Sequence, residues 1–383
     1  MLVRLFIAFA SLAVAAPALA QGSCVPKDTP DTGIKQNVPV LFGHCAGDGK
    51  CGAVDKTGAW RIPPKYSDVL IVEDFIVVPE NDDWSKFAFL DQDGKNLGSG
   101  DYSISVEEQL PVSEGMLPVQ VGEKTGFVDH TGKLVVPAEF GYAWAFDHGL
   151  SAAEKDGRHG YIDKTGAFVI NAPPGYDDLG SFSGDVAVVG KEGSFGLIDK
   201  TGKIVLEPKF AALYADGDVL IALENDASGI VDRAGNWVSK PEFTSIGLFS
   251  KGLAPAQKDE KWGFIDTCGK WKIDPKYDNV VGFEAGPARV KSGEKWGLID
   301  MSGKEIYPPS ASYIGEGAWT DGLISFSPDD AKYGLMDVTG KVVIEPKYDS
   351  VEPLGGGVLL SYTGEEEKLL KLDGSEIKIA PAP

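Results

Sequence analysis

The chain is poor in the residues that carry chemistry. It has four histidines, four cysteines and four methionines in 383 residues. No His-Glu-x-x-His, Gly-x-Ser-x-Gly or Gly-x-x-x-x-Gly-Lys occurs, so the zinc-protease, nucleophile-elbow and phosphate-loop signatures are missing. No segment carries the alternating oxygen ligands of an EF-hand or the glycine-rich nonapeptides of calcium β-rolls. Basic residues are also scarce, 36 against 57 acidic ones, for a net charge of −21. Nucleic-acid binders concentrate basic surface to displace counterions, which argues against DNA or RNA as a partner. Beyond the first twenty residues no run approaches the roughly 18 apolar residues of a membrane span. No segment sustains the 3.6-residue period of a helix. These shortages lead to the expectation of a non-catalytic chain with no cofactor, no metal and no membrane span.

What the chain has in abundance is repetition. Lys261-Trp-Gly-Phe-Ile-Asp-Thr-Cys-Gly-Lys270 returns as Lys295-Trp-Gly-Leu-Ile-Asp-Met-Ser-Gly-Lys304. The aspartate of the phrase falls at Asp55, Asp91, Asp129, Asp163, Asp199, Asp232, Asp266, Asp300 and Asp337, and a tenth copy holds Lys371 there. A period of about 34 residues marks a repeat array.

Each unit reads as three short antiparallel strands. In residues 252–283 these are 253–257, 262–266 and 270–273. Between the second and third lies Asp-x-Thr/Ser-Gly, the signature of a type I turn closed by a left-handed glycine. Its recurrence in six units, with an extra residue after the aspartate, makes it a turn and not a protease motif. The second strand alternates Trp262 and Phe264 with Gly263 and Ile265. Both of its faces are apolar or small, and the glycine permits close approach of a neighbouring backbone. The third strand is closed by Pro275, with an aromatic two residues later, as at Pro64–Tyr66 and Pro346–Tyr348.

These phrases resemble the WG-repeat family, whose units read roughly Lys-Trp-Gly-Phe-Ile-Asp-x-x-Gly-Lys and then Ile-x-Pro-x-Tyr-Asp. The resemblance covers about 40–375. Cys51, Thr125, His159 and Ser228 depart from it at the tryptophan, and Ala88 at the glycine. It implies a β-rich repeat protein and carries over no catalytic residue.

The expected fold is all-β. Ten units of three strands fit poorly with propellers, which usually have four to eight four-stranded blades, so an open twisted array is the first reading. A propeller-like ring is the alternative, and it would require the first and last units to pair. Residues 1–20 read as a secretory signal peptide, with Arg4, an apolar Leu5–Ala16 stretch and the small-residue site Pro17–Ala20. Residues 21–39 read as a linker, 40–379 as the repeat domain and 380–383 as a tail.

Export to the periplasm or the outside implies disulfides. Cys45 and Cys51 lie symmetrically about the turn of the first hairpin and are expected to pair. Cys268 stands where other units have Thr or Ser, and its state is open between a free thiol and a bond to Cys24. The functional expectation is a protein-interaction or scaffold module. Two alternatives remain. One is a glycan- or cell-wall-binding protein using Trp60, Trp237 and Trp271. The other is an enzyme with a site in an irregular unit, at 171–176 or 310–317.

Overall fold

The computed structural model describes residues 41–47, 49–72, 75–81, 84–104, 112–364 and 366–382. The segments read as signal peptide and linker lie outside them. Among the described residues there is no helix; thirty-seven strands form ten antiparallel sheets. In chain order the sheets occupy 41–66, 70–101, 117–140, 142–171, 178–210, 212–243, 245–277, 279–311, 313–348 and 350–371.

Seven of the ten sheets have four strands, not the three expected, here lettered A to D. The seventh shows the pattern: A is Ser245–Ile246, B is Leu253–Lys258, C is Lys261–Asp266 and D is Trp271–Tyr277. Strand A is only two residues long, too short to leave a period-two signal. The third sheet receives its fourth strand as a single bridge between Ser103 and Gln120.

Strand D does not stop at its proline. The pairs Phe264–Ile273 and Trp262–Tyr277 bracket a bulge in which Asp274, Pro275 and Lys276 oppose Gly263 alone. Proline has no N–H to offer the ladder, so a bulge accommodates it and pairing resumes at Tyr277.

The sheets close into a ring, and the open array is corrected. Ten apolar clusters occupy the ten seams between successive sheets. The decisive cluster joins Phe42 and Val54 of the first sheet to Val358 and Leu369 of the last, with Ile377. Opening the ring would expose those four side chains. At about 1.5–3 kcal/mol each, that is a loss of roughly 6–12 kcal/mol, an upper estimate. The tail takes part in the closure. The Ala380 N–H donates to the Gly58 carbonyl and the Trp60 indole N–H donates to the Ala380 carbonyl, both at 2.9 Å. The last sheet, three-stranded like the first, packs against it. The molecule is a ten-bladed β-propeller.

Candidate functional site

An up-and-down meander gives the ring two faces. The A–B and C–D turns of every blade lie on one, called here the turn face. The B–C hairpins and the links between blades lie on the other, the link face.

On the turn face the repeated aspartates are occupied by their own turns. Asp163 Oδ1 accepts from the Thr165 N–H at 2.8 Å, the Thr165 hydroxyl at 2.5 Å and the Ala167 N–H at 3.2 Å. Gly166 closes the turn at φ 82°. The same bonds hold at Asp55, Asp199 and Asp337, with Ser302 as the donor at Asp300. Donation by the hydroxyl two residues on, followed by the backbone N–H groups, holds these carboxyls below their ordinary range. Turns of adjacent blades are also laced together. Ser250 donates to the Phe283 carbonyl, and Arg233 bridges Asp185 and Asp218.

On the link face the lysine that opens the repeated phrase binds the next blade. Lys261 Nζ donates to Asp278 Oδ1, and Asp278 Oδ2 accepts from the Gly293 N–H at 2.7 Å, in the B–C hairpin of blade 8. Lys332, Asp349 and Gly364 repeat the arrangement between blades 9 and 10.

The tips of the B–C hairpins lie beside these links and carry acidic residues, flanked by lysines such as Lys258 and Lys261. Blades 3 to 9 carry exposed Glu123, Asp156, Glu192, Asp226, Asp259, Glu294 and Asp329. Several tips are type I′ turns, which need positive φ at both central residues. Blades 4 and 5 meet that need with Gly157 and Gly193 at the second position. Blades 6 and 7 place Asp226 (φ 62°) and Glu260 (φ 64°) there, and blade 9 has Asp330 at φ 64°. A side chain in that conformation costs roughly 1–2 kcal/mol that glycine avoids. The acidic rim is thus kept against a backbone preference.

The tryptophans singled out by sequence sit in seams. Trp237 packs edge-on against Phe210 of the preceding blade at 5.6 Å, and Trp271 against Phe243 at 5.4 Å. Trp60 joins the cluster that closes the ring. All three are half-buried, and Trp60 in blade 1 lies across the ring from Trp237 in blade 6. Cys45 and Cys51 face each other in register and are disulfide-bonded. Cys268 is also disulfide-bonded; Cys24 lies outside the described residues.

The irregular units hold structural contacts. Near 171–176, Arg158 donates to the Asn171 side chain and the Tyr176 hydroxyl to Glu207. The 310–317 unit receives a group that sequence reasoning missed. Arg289, only 1% exposed, reaches from blade 8 to donate to the carbonyls of Gly315 and Gly317 in blade 9. Its signal is that neighbouring blades have Ile221, Pro255 or Ser325 at the same register, never another cation. A cleft of about 380 Å³ between blades 1 and 2 is lined by Lys65, Tyr66, Glu80, Asn81 and Asn96. Asn81 there is engaged by Ser85 and the Lys86 N–H, and Glu80 by Lys86, so these groups serve their own loop. Among the described residues no group of His, Cys, Asp and Glu is placed to hold a metal, and no helix is long and apolar enough to cross a membrane.

The model of the WG containing repeat matches 52–84, 126–158, 160–194, 195–215, 229–262, 262–296 and 333–360. No curated protein matches by sequence. Among solved structures, a eukaryotic initiation factor aligns over 88% of this chain and 94% of its own, with TM-score 0.50. BamB from Moraxella catarrhalis aligns over 80% and 93% at TM-score 0.34, and KlHsv2 with a replaced loop 6CD over 60% and 90% at 0.35. Each is 10% identical, so the likeness to the initiation factor is one of fold alone.

Proposed function

The chain belongs to the WG-containing repeat family, and from that premise we propose that it is an exported, non-catalytic scaffold that docks a partner protein on its link face. The carrying observation is the acidic rim, in particular Asp226, Glu260 and Asp330, whose carboxylates stand where glycine would relieve the backbone. A surface retained at a cost to folding is a mark of use elsewhere. The repeated residues have internal tasks: aspartates in turns, tryptophans in seams, and the Lys261–Asp278 type of link between blades. The rim is what remains to vary, and its charge selects a partner with a basic face by steering and complementarity. Half-burial of Trp60, Trp237 and Trp271 favours this reading over glycan binding. The disulfides fit an oxidising compartment.

The test is co-purification from envelope extract with the intact ring and with a variant carrying Asp226→Gly, Glu260→Gly and Asp330→Gly. The reading expects a partner retained at low salt, released as salt rises, and lost from the variant although its ring is at least as stable. Equal retention by both proteins, or by an unrelated chain of the same net charge, would contradict it.

A further inference from the structure

We infer that the cleft between blades 1 and 2 binds an aromatic ring carrying a carboxylate, seated beside Tyr66. Other seams supply such a ring themselves. Strand D opens at a fixed register, in which Trp271 pairs with Ile265, Trp237 with Val231 and Phe168 with Ile162. In blade 2 the same pair is Leu90–Asn96. The ring that packs on the preceding blade's aromatic in seams 3–4, 5–6 and 6–7 is therefore replaced by a short amide.

Two further changes leave the space open. The Trp237 ring stands over Gly229, 2.8 Å from where a Cβ would sit, and Phe168 over Gly160 at 3.1 Å. Ala88 holds that position of strand C in blade 2 and lines the cleft. Strand D of blade 2 also lacks the bulge that elsewhere crosses this face of strand C. Blade 8 keeps its bulge over Gly297, and there Tyr277 of blade 7 is 2% exposed although Glu305 takes the aromatic's place. Phe140, Phe210 and Phe243 are 2%, 3% and 0% exposed, whereas Tyr66 is only half-buried. The cleft, about 380 Å³, falls within the roughly 300–1,000 Å³ of small-molecule sites.

The mouth of the cleft selects charge. In the filled seam 5–6, Lys209 reaches over to donate to the Gly235 carbonyl at 2.8 Å. Its counterpart Lys65 lies 5.1 Å from the centre of the Tyr66 ring, and its ammonium donates to no group among the described residues. Exposed Asn96 adds an amide donor, and Glu80, the acid of the cleft, is paired with Lys86. An aromatic acid meets these groups together. Its ring repeats the edge-on packing of Trp237 on Phe210, and its carboxylate accepts from Lys65 and Asn96. The site lies apart from the acidic tips and does not depend on what they bind.

Calorimetric titration of the full chain with indole-3-acetate should saturate with a Kd of about 1 mM or tighter. Lys65→Ala should weaken the acid about threefold and leave neutral indole unchanged. Ala88→Gly combined with Asn96→Trp rebuilds the Gly229–Trp237 arrangement. It should abolish binding while melting as cooperatively as Ala88→Gly alone, which still binds. A peptide ending in Ala-Trp that binds about tenfold tighter than indole-3-acetate assigns the ring to a partner's C-terminus, and weaker binding assigns it to a free aromatic acid. No saturation by the parent, equal affinity for acid and neutral indole, or undiminished binding by the folded double variant overturns the proposal.

Discussion

Gly263 lies directly beneath Pro275. A Cβ at 263 would stand 2.8 Å from the Pro275 nitrogen and 2.4 Å from the Ile273 carbonyl oxygen. The glycine and the proline of the repeat are therefore one device: the bulge in strand D crosses strand C where no side chain stands. Blade 2 supplies the control. There Ala88 replaces the glycine, strand D has no proline, and Phe87–Gly100, Ala88–Ser99 and Phe89–Gly98 pair without a bulge.

Gly263→Ala is expected to destabilise the ring by about 1–3 kcal/mol, since contacts under 3 Å with backbone must be relieved by shifting strand D. Ala88→Gly lacks that clash and should cost about 1 kcal/mol or less, from chain entropy. Denaturant midpoints at matched conditions check the contrast. Equal losses at both sites would argue against the pairing of glycine with bulge.

Arg289 gives a second prediction. Arg289→Ala removes a buried side chain and leaves the Gly315 and Gly317 carbonyls without their donor, a loss of about 2–4 kcal/mol. Arg289→Met keeps most of the volume and should recover part of it. Thermal unfolding followed by circular dichroism reads both, and a silent Arg289→Ala would remove the residue from the account of the 8–9 seam.

Acid should weaken the turn face. The carboxyls of Asp163, Asp199 and Asp337 titrate below the ordinary 3.8, chiefly because Thr165, Thr201 and Thr339 donate to them. The unfolded chain then takes up protons first as pH falls. The stabilisation is present above 3.8 and is lost as pH drops through the lower folded values. A variant with those three threonines changed to alanine should be less stable at pH 7, and its deficit should shrink as pH falls through the carboxylate range. A deficit constant from pH 7 to pH 3 would show that the hydroxyls do not act through charge.

Local chemistry was legible in the sequence because it involves residues a few positions apart. The Asp55–Gly58 type of turn, the Cys45–Cys51 register and the close approach over Gly263 all follow from spacing. Ring closure did not, because Phe42 and Leu369 meet through space at a separation no repeat period encodes. Strands such as Ser245–Ile246 are too short to show alternation. Arg289 reads as one more surface cation until the carbonyls that bury it, 26 and 28 residues later, are in place. In the sequence the rim acids are part of the overall net charge, and their cost becomes visible only in the backbone angles of Glu260 and Asp330.

The ring itself is tested by the distance between labels on Lys56→Cys and Lys378→Cys, measured by resonance energy transfer in the otherwise disulfide-bonded chain. Gly58 lies against the Lys378 backbone, so closure predicts a separation under about 25 Å with label arms included, whereas ten sheets stacked openly at about 10 Å per step would hold the labels about 90 Å apart. Efficient transfer that disappears only on unfolding is the predicted result. Absence of transfer in the native protein would contradict the ring.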